Sequence, residues 1–444
     1  MTAYLPNLFF SLVLVLGIGF FVRNILRIKA NIGLGRDINR SDQSSRRWGQ
    51  MIRVALGQSK MVTRPVAGIM HIIVYVGFIL INIELLEIIV DGVLGTHRIF
   101  APYLGSFYNV IIASFEILAA LVLVAVIVFW VRRNVIRLQR FIKPEMKGWP
   151  KKDADLILYF EVVLMFLFLS MNATDALLQQ SGHPHYIQAG LFPVSSYLTP
   201  LYGSFSMDSL VVLERTFWWL HITGILVFLN YLYYSKHLHI LFAFPNTYYA
   251  NLNPAGQFKN NATVTAEVQL MMDPDADPYA TPAEAEIAEP EKFGASDVMD
   301  LSWVQLLNAY TCTECGRCTS ECPANQTGKK LSPRKIMMDT RDRLEEVGNN
   351  YRKNKGSDIN DGKQLLDDYI SREELWACTS CNACVEACPI GIDPLSIIMD
   401  MRQYLVMEQS AAPSELNNMM SNIENNGAPW PFNNQDRLLW ANEE

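Results

Sequence analysis

Cys312-Thr-Glu-Cys315-Gly-Arg-Cys318-Thr-Ser-Glu-Cys322-Pro323 and Cys378-Thr-Ser-Cys381-Asn-Ala-Cys384-Val-Glu-Ala-Cys388-Pro389 decide how this chain reads. All 8 cysteines fall in these two stretches, as two copies of C-x2-C-x2-C-x3-C-P. That run holds [4Fe–4S] clusters in two-cluster ferredoxins, its fourth cysteine ligating the other cluster. The spacing assigns Cys312, Cys315, Cys318 and Cys388 to one cluster, and Cys378, Cys381, Cys384 and Cys322 to the second. Structural zinc takes four ligands per site and seldom a third cysteine at the next two-residue step. Disulfides belong to exported domains, and the topology read below keeps this segment inside the cell. The segment therefore reads as an electron carrier.

The other residues say where that carrier sits. Of the 444 residues 50% are hydrophobic and 18% charged, and the two kinds are segregated. The first 250 or so contain long uncharged runs, and the rest is polar and acidic. A net charge of −7, with no basic patch interleaved with aromatics, argues against nucleic acid as a partner. The N-terminus lacks the basic region and small-residue cleavage site of a secretory signal.

Five apolar runs reach the roughly 20 residues that a helix needs to cross a bilayer: 4–26, 66–90, 105–131, 156–178 and 216–242. The connection from Arg23 to Arg64 and that from Arg132 to Lys152 are rich in Arg and Lys, whereas the alternate connections hold little more than Arg98 and Arg215. The positive-inside rule then predicts an outside N-terminus and an inside cysteine domain.

Histidines within spans are costly unless paired or metal-bound. His71 is expected in the inner half of the second span, His221 near the outer end of the fifth, and His239 near its inner end. As one continuous helix, His221 and His239 would share a face about 27 Å apart, so they cannot hold the same iron. His237 would then point to nearly the opposite side. Depth pairs His71 with His239 around one haem and leaves His221 for a second haem or a quinone. The alternative is that these histidines are interfacial or hydrogen-bonded inside the bundle. Glu84, Glu87, Glu116, Glu161 and Asp175 read either as proton-relay groups or as neutral packing groups, and His183-Pro-His185 as a surface loop in preference to the cap of a quinone site.

The five spans, Trp219-Leu-His221 through Ser235-Lys-His237-Leu-His239, and Gly68-Ile-Met-His71 with Gly77-Phe78 resemble the cytochrome b subunit of respiratory nitrate reductases. That family has a second histidine ten residues after the one matched by His71, where this chain has Ile81. The resemblance therefore implies one b haem on His71 and His239, and leaves a second haem at His221 without a partner. A cytochrome b followed by a dicluster ferredoxin, with Cys315-Gly-Arg-Cys318, Lys330-Leu-Ser-Pro-Arg334 and Asn425-Asn-Gly-Ala-Pro-Trp430, resembles the membrane-bound heterodisulfide reductase-like family. The electron-transfer flavoprotein:menaquinone oxidoreductases are among its members. This resemblance implies menaquinone as substrate and a bacterial cytoplasmic membrane as location. It also implies a flavoprotein or a separate subunit with CCG-type iron–sulfur repeats as partner.

The expected fold is all-α: a five-helix transmembrane bundle (N-out, C-in) followed by a cytoplasmic α-helical dicluster ferredoxin domain. The division is a cytochrome b domain at 1–250, an acidic proline-containing linker without helical periodicity at 251–296, the ferredoxin domain at 297–410 and a partner-docking tail at 411–444. The expected function is relay of electrons between quinone and a cytoplasmic partner in an oxidoreductase, with no catalytic residue identified. The alternative is a membrane redox sensor or assembly scaffold without quinone chemistry.

Overall fold

The structure, a computed structural model, describes residues 4–254, 256–258, 260–274, 292–356 and 360–442. The described residues form helices and turns with two isolated β-bridges and no strand. Five helices are long and apolar enough to cross a membrane. They are α1 (Leu5–Ile32), α2 (Pro65–Leu94), α3 (Ser106–Asn134), α4 (Trp149–Gln180) and α5 (Met207–Tyr231). Pro65 starts α2 at the first helical position, where a missing N–H costs nothing. Large apolar side chains such as Leu8, Val15, Leu86, Val110 and Val212 are more than half exposed along the outside of the bundle, the pattern expected of helices facing hydrocarbon. Inside, α2 and α3 approach closely at Gly77, where a Cβ would come within 2.6 Å of Val122; small residues let membrane helices pack in this way.

The fifth helix departs from expectation. It starts at Met207 rather than 216, because its charged first turns are satisfied internally. Ser206 accepts from the Ser209 N–H, and Glu214 pairs with Arg215 and accepts from Tyr186 Oη. It stops at Tyr231 rather than 242. Ser235 is extended, at φ −115° and ψ 146°, and its hydroxyl accepts from the His237 N–H. The chain then restarts as α6 (His239–Tyr248).

The linker expectation also needs correction. Asn261 caps a helix, α7 (Ala262–Met272), by accepting from the Val264 N–H. This is the helix N-cap pairing of an Asn side chain with an early backbone donor. Residues 275–291 of the acidic proline-containing stretch lie outside the described residues.

The cysteine domain is built on α8 (Trp303–Thr311), α9 (Arg317–Glu321), α10 (Pro333–Lys353), α11 (Arg372–Trp376), α12 (Ala383–Ala387) and α13 (Pro394–Met407). A capped 3-10 turn, Val298–Asp300, leads into α8. Val298, Leu301, Val304 and Leu307 are all buried. Glu374 closes a capping box with Ser371, the reciprocal pairing that marks a helix start.

This domain does not hang from the bundle. One apolar core runs through both, joining Ile28, Ile157, Phe228 and Leu232 to Leu301, Leu306, Tyr310 and Val347. Asn31 at the end of α1 donates to Tyr310 Oη at 2.7 Å and accepts from Arg352. The tail forms α14 (Ser414–Asn426) and a 3-10 segment, Asn434–Asn442, with Trp430, Phe432, Leu438, Leu439 and Trp440 exposed.

Candidate electron-transfer site

The two cysteine runs repeat in backbone as well as in sequence. Each begins after a helix, α8 or α11, and places left-handed residues on both sides of its second cysteine. These are Glu314 (φ 54°) and Gly316 (φ 71°) in the first run, and Ser380 (φ 55°) and Asn382 (φ 63°) in the second. A short helix follows, α9 or α12, and each run ends on an extended cysteine before proline, Cys322 at φ −74° and Cys388 at φ −73°. Left-handed non-glycine residues cost about 1–3 kcal/mol each. Alternating right- and left-handed residues turn successive N–H groups into one concavity, the nest found at many iron–sulfur sites.

All 8 cysteines are free thiols. Cys312, Cys315, Cys318 and Cys388 line one cavity, with Cys384 at its edge and Met337, Ile390 and Ile392 in its wall. Cys388 interacts electrostatically with Cys312, Cys315 and Cys318, whereas Cys322 interacts with Cys378 and Cys384. Cys388 thus stands with the first three cysteines of the other run, and Cys322 with the first and third of the other. Burial pushes the thiols of Cys312 and Cys384 up to about 12 and that of Cys388 to about 11. A coordinated metal overrides that preference, since a ligating thiol is deprotonated outright. Backbone N–H groups already point at sulfur: Ser380 at Cys378 (3.4 Å) and Ile392 at Cys388 (3.3 Å).

The first run is docked on the basic connections of the bundle. Arg317, 4% exposed, donates to Lys60 O at 3.0 Å and Thr63 Oγ1 at 3.4 Å. Arg64 pairs with Glu321 (2.8 Å), and Lys60 with Glu386 (3.5 Å). Fully buried Arg334 donates to Arg140 O and pairs with Glu145 at 2.7 Å. The charge of Arg317 is felt by His71 on one side and by Cys315 and Cys388 on the other.

His71 and His239 meet at this same end. Their ring centroids are 6.4 Å apart. Two metal–nitrogen bonds of about 2.0–2.1 Å plus two ring radii of roughly 1.1 Å, set by ring bonds of about 1.33–1.45 Å, give nearly the same separation. His239 directs Nδ1 at Lys236 O (3.2 Å), while His71 Nδ1 is buried without a partner. The pair would leave room for one metal ion between its rings, and the Lys236 carbonyl gives His239 the kind of outer contact that orients a ligating histidine.

His237 does not point away, as the continuous-helix register required. The break at Ser235 turns its ring to 5.3 Å from His239 and 5.6 Å from Phe228. His221 is also displaced from its expected level. With α5 beginning at Met207, His221 lies about 21 Å along the helix, near mid-depth rather than at an end. Its Nδ1 meets Leu164 O at 3.1 Å and its ring packs on Phe168.

A second polar region, at the far end of the bundle, was not legible as such. Arg98 and Arg215, which read as loop charges, sit with Glu84, Asp175, Glu214 and His97 around a cavity of about 250 Å³. His185, read as part of a surface loop, lines the same cavity. Glu116 is a packing group, accepting from Asn172 and from the N–H groups of Val194 and Ser195.

Residues 311–392 match a protein family described as a 4Fe-4S dicluster domain. The chain is a relative of iron–sulfur oxidoreductases. It is 28% identical to the probable iron-sulfur-binding oxidoreductase FadF of Bacillus subtilis (strain 168), over 98% of this chain and 61% of that protein. It is 26% identical to the EtfAB:quinone oxidoreductase of Syntrophomonas wolfei subsp. wolfei, over 92% of this chain and 55% of that protein. A shorter match is to one polypeptide of the ferredoxin/F(420)H(2)-dependent CoB-CoM heterodisulfide reductase of Methanosarcina acetivorans, 31% identical over 27% of this chain and 60% of the relative. The chain spans 61% and 55% of the lengths of the two relatives that it matches almost throughout. No solved structure matches. The dicluster match and the 8 cysteines together support two [4Fe–4S] clusters.

Proposed function

We propose that this chain is the electron-transfer subunit of a membrane quinone oxidoreductase, relaying electrons between a quinone in the bundle and a soluble partner. The observation that carries this reading is the histidine pair at the end of the bundle on which the first cysteine run is docked, His239 being joined to that run through Lys236 and Glu314. Cys312, Cys315, Cys318 and Cys388 would hold the cluster nearer the bundle; Cys378, Cys381, Cys384 and Cys322 would hold the other. Cys381 is exposed, so the second cluster is the natural exit. His71 and His239 would hold one b haem, which supplies a one-electron carrier between quinone and clusters. The protein's own part is placement: Lys236 O orients His239, and Arg317 and Arg334 hold the first run against the bundle. His221, at mid-depth with no second histidine ring beside it among the described residues, is left out of haem ligation.

The basic connections favour the cytoplasmic face of a bacterial inner membrane for the cysteine domain, with 1–250 as the membrane domain, 297–410 as the ferredoxin domain and 411–444 as a docking tail. The names of the relatives favour a quinone, EtfAB and heterodisulfide reductase subunits as the class of redox partner; the family resemblance points within that class to menaquinone and to a flavoprotein or a CCG-type iron–sulfur subunit.

The test is a reduced-minus-oxidised spectrum of the purified chain before and after addition of a menaquinol analogue. A b-type signal and quinol-driven bleaching of the iron–sulfur absorption are expected. His71→Ala and His239→Ala should each abolish the b-type signal while sparing the cluster absorption, and His221→Ala should leave both. Clusters that ignore quinol in a protein without a b-type signal would favour a redox sensor instead.

A further inference from the structure

The far-end cavity contains one buried carboxylate oxygen that nothing in the fold satisfies. Glu84 is 3% exposed, its Oε1 lies 3.7 Å from Arg98 Nη1, and its Oε2 is buried without a hydrogen-bond partner. Its acidic neighbours are occupied. Glu87 accepts from Tyr108 Oη and the Phe100 N–H, and Asp91 from the N–H groups of Arg98 and Ile99. Glu214 is held by Arg215 and Tyr186. Asp175 takes Arg98 Nε at 2.8 Å, His97 Nε2 at 3.0 Å and Gln179 Nε2 at 3.2 Å. A buried acceptor left unmade costs about 1–3 kcal/mol, so a ligand's hydroxyl or a proton belongs at Glu84 Oε2.

The cavity is built to receive something flat. Phe10, Ile88, Met171, Trp218 and Trp219 line it opposite the polar groups, the mixture of apolar wall and few convergent polar groups that marks a ligand pocket. Phe9, 58% exposed on α1, packs against Trp219 at 5.7 Å, so the aromatic wall of the cavity continues to the lipid-facing surface. Arg98 is held in a left-handed conformation, φ 50°, by Asp91, Asn172, Tyr108 and Asp175. Such strain at a non-glycine residue gathers at functional sites. A route also leads out. From Asp175 the polar groups continue to His97, whose ring is 5.8 Å from that of His185, and His185 is exposed.

We propose that this cavity takes the head group of a quinone or quinol, that Glu84 exchanges its protons, and that Asp175, His97 and His185 connect Glu84 with the far surface. The proposal rests on the quinone reading above and adds the site and the proton path to it. Oxidation of one quinol breaks two O–H bonds and releases two protons and two electrons. The electrons leave singly to the iron carriers at the docked end, and Glu84 passes the protons one after the other to the far surface. Quinone reduction runs the same steps backward. Glu84 lies roughly 20 Å beyond His71 along α2, so electrons and protons part company inside the bundle and turnover moves charge across the membrane.

The experiment uses the full chain in lipid nanodiscs, with menadiol as electron donor and an azido-naphthoquinone as photolabel. Glu84→Gln should slow menadiol-driven reduction at least tenfold while its dithionite-reduced spectrum stays that of the unsubstituted protein, and Glu84→Asp should recover part of the rate. The label should fall on peptides containing Glu84, Met171 or Trp218. Labelling confined to other helices, or Glu84→Gln at full rate, would overturn this site while the quinone reading stands. An unsubstituted protein that menadiol does not reduce and the quinone does not label would overturn the quinone reading itself.

Discussion

Glu314 does two things at once. Its backbone takes the left-handed turn between Cys312 and Cys315, and its buried carboxylate pairs with Lys236 and with Arg341 at 2.9 Å. Lys236 in turn presents its carbonyl to His239, so one ion pair joins the histidine site to the cysteine site. Breaking a buried pair by removing one partner typically costs about 3–5 kcal/mol. Lys236→Met should therefore lower the unfolding midpoint of the iron–sulfur absorption and displace the b-type band. Gly316 is tighter still: at φ 71°, with an added Cβ only 2.4 Å from Arg334 Nη1, Gly316→Ala should lower iron content. The fourth cysteines offer a sharper check. Cys388→Ser should remove the cluster nearer the bundle and Cys322→Ser the other, distinguishable by which electron paramagnetic resonance signal survives. The cysteines were legible because ligation imposes its own spacing on the chain. Arg98 and Glu84 were not, since a charge beside a span looks the same whether it meets water or a buried acid.

At the scale of elements, the sequence pattern located α1 to α4 well, because long apolar runs have few other uses. The fifth helix was misplaced at both ends. A search for uncharged residues skips Glu214 and Arg215, which the fold neutralises against each other, and reads through Ser235, whose hydroxyl ends the helix by capping the next turn. The early start puts His221 at mid-depth, and the break swings His237 in beside His239. The cap makes a prediction. Ser235→Ala should destabilise the region by about 0.5–2 kcal/mol and, under the proposed haem ligation, lower the ratio of b-type to iron–sulfur absorbance with the clusters unaffected. The helix Ala262–Met272 escaped notice because its apolar residues, among them Val264, Val268 and Met271, are exposed, so no buried stripe marked it out.

For the whole molecule, the order of bundle and then ferredoxin could be read from composition and cysteine spacing alone. How the two meet could not, since Arg334, Arg317 and Asn31 show no sign in the sequence of facing one another's loops. Arg334→Ala would strand Glu145 at the junction. The expected cost is about 3–5 kcal/mol, seen as earlier thermal loss of the iron–sulfur absorption with the helical content of the bundle retained.

The apolar core that runs unbroken from α1 and α5 into the cysteine domain has a mechanical consequence. A carrier that swings on a tether delivers electrons by travelling, and its speed depends on solvent viscosity and on the length of its leash. This one is bolted to its base and behaves as a fixed terminal. If the proposed relay to a soluble partner holds, that partner has to do the travelling, and the traffic between the two should be limited by how often it arrives.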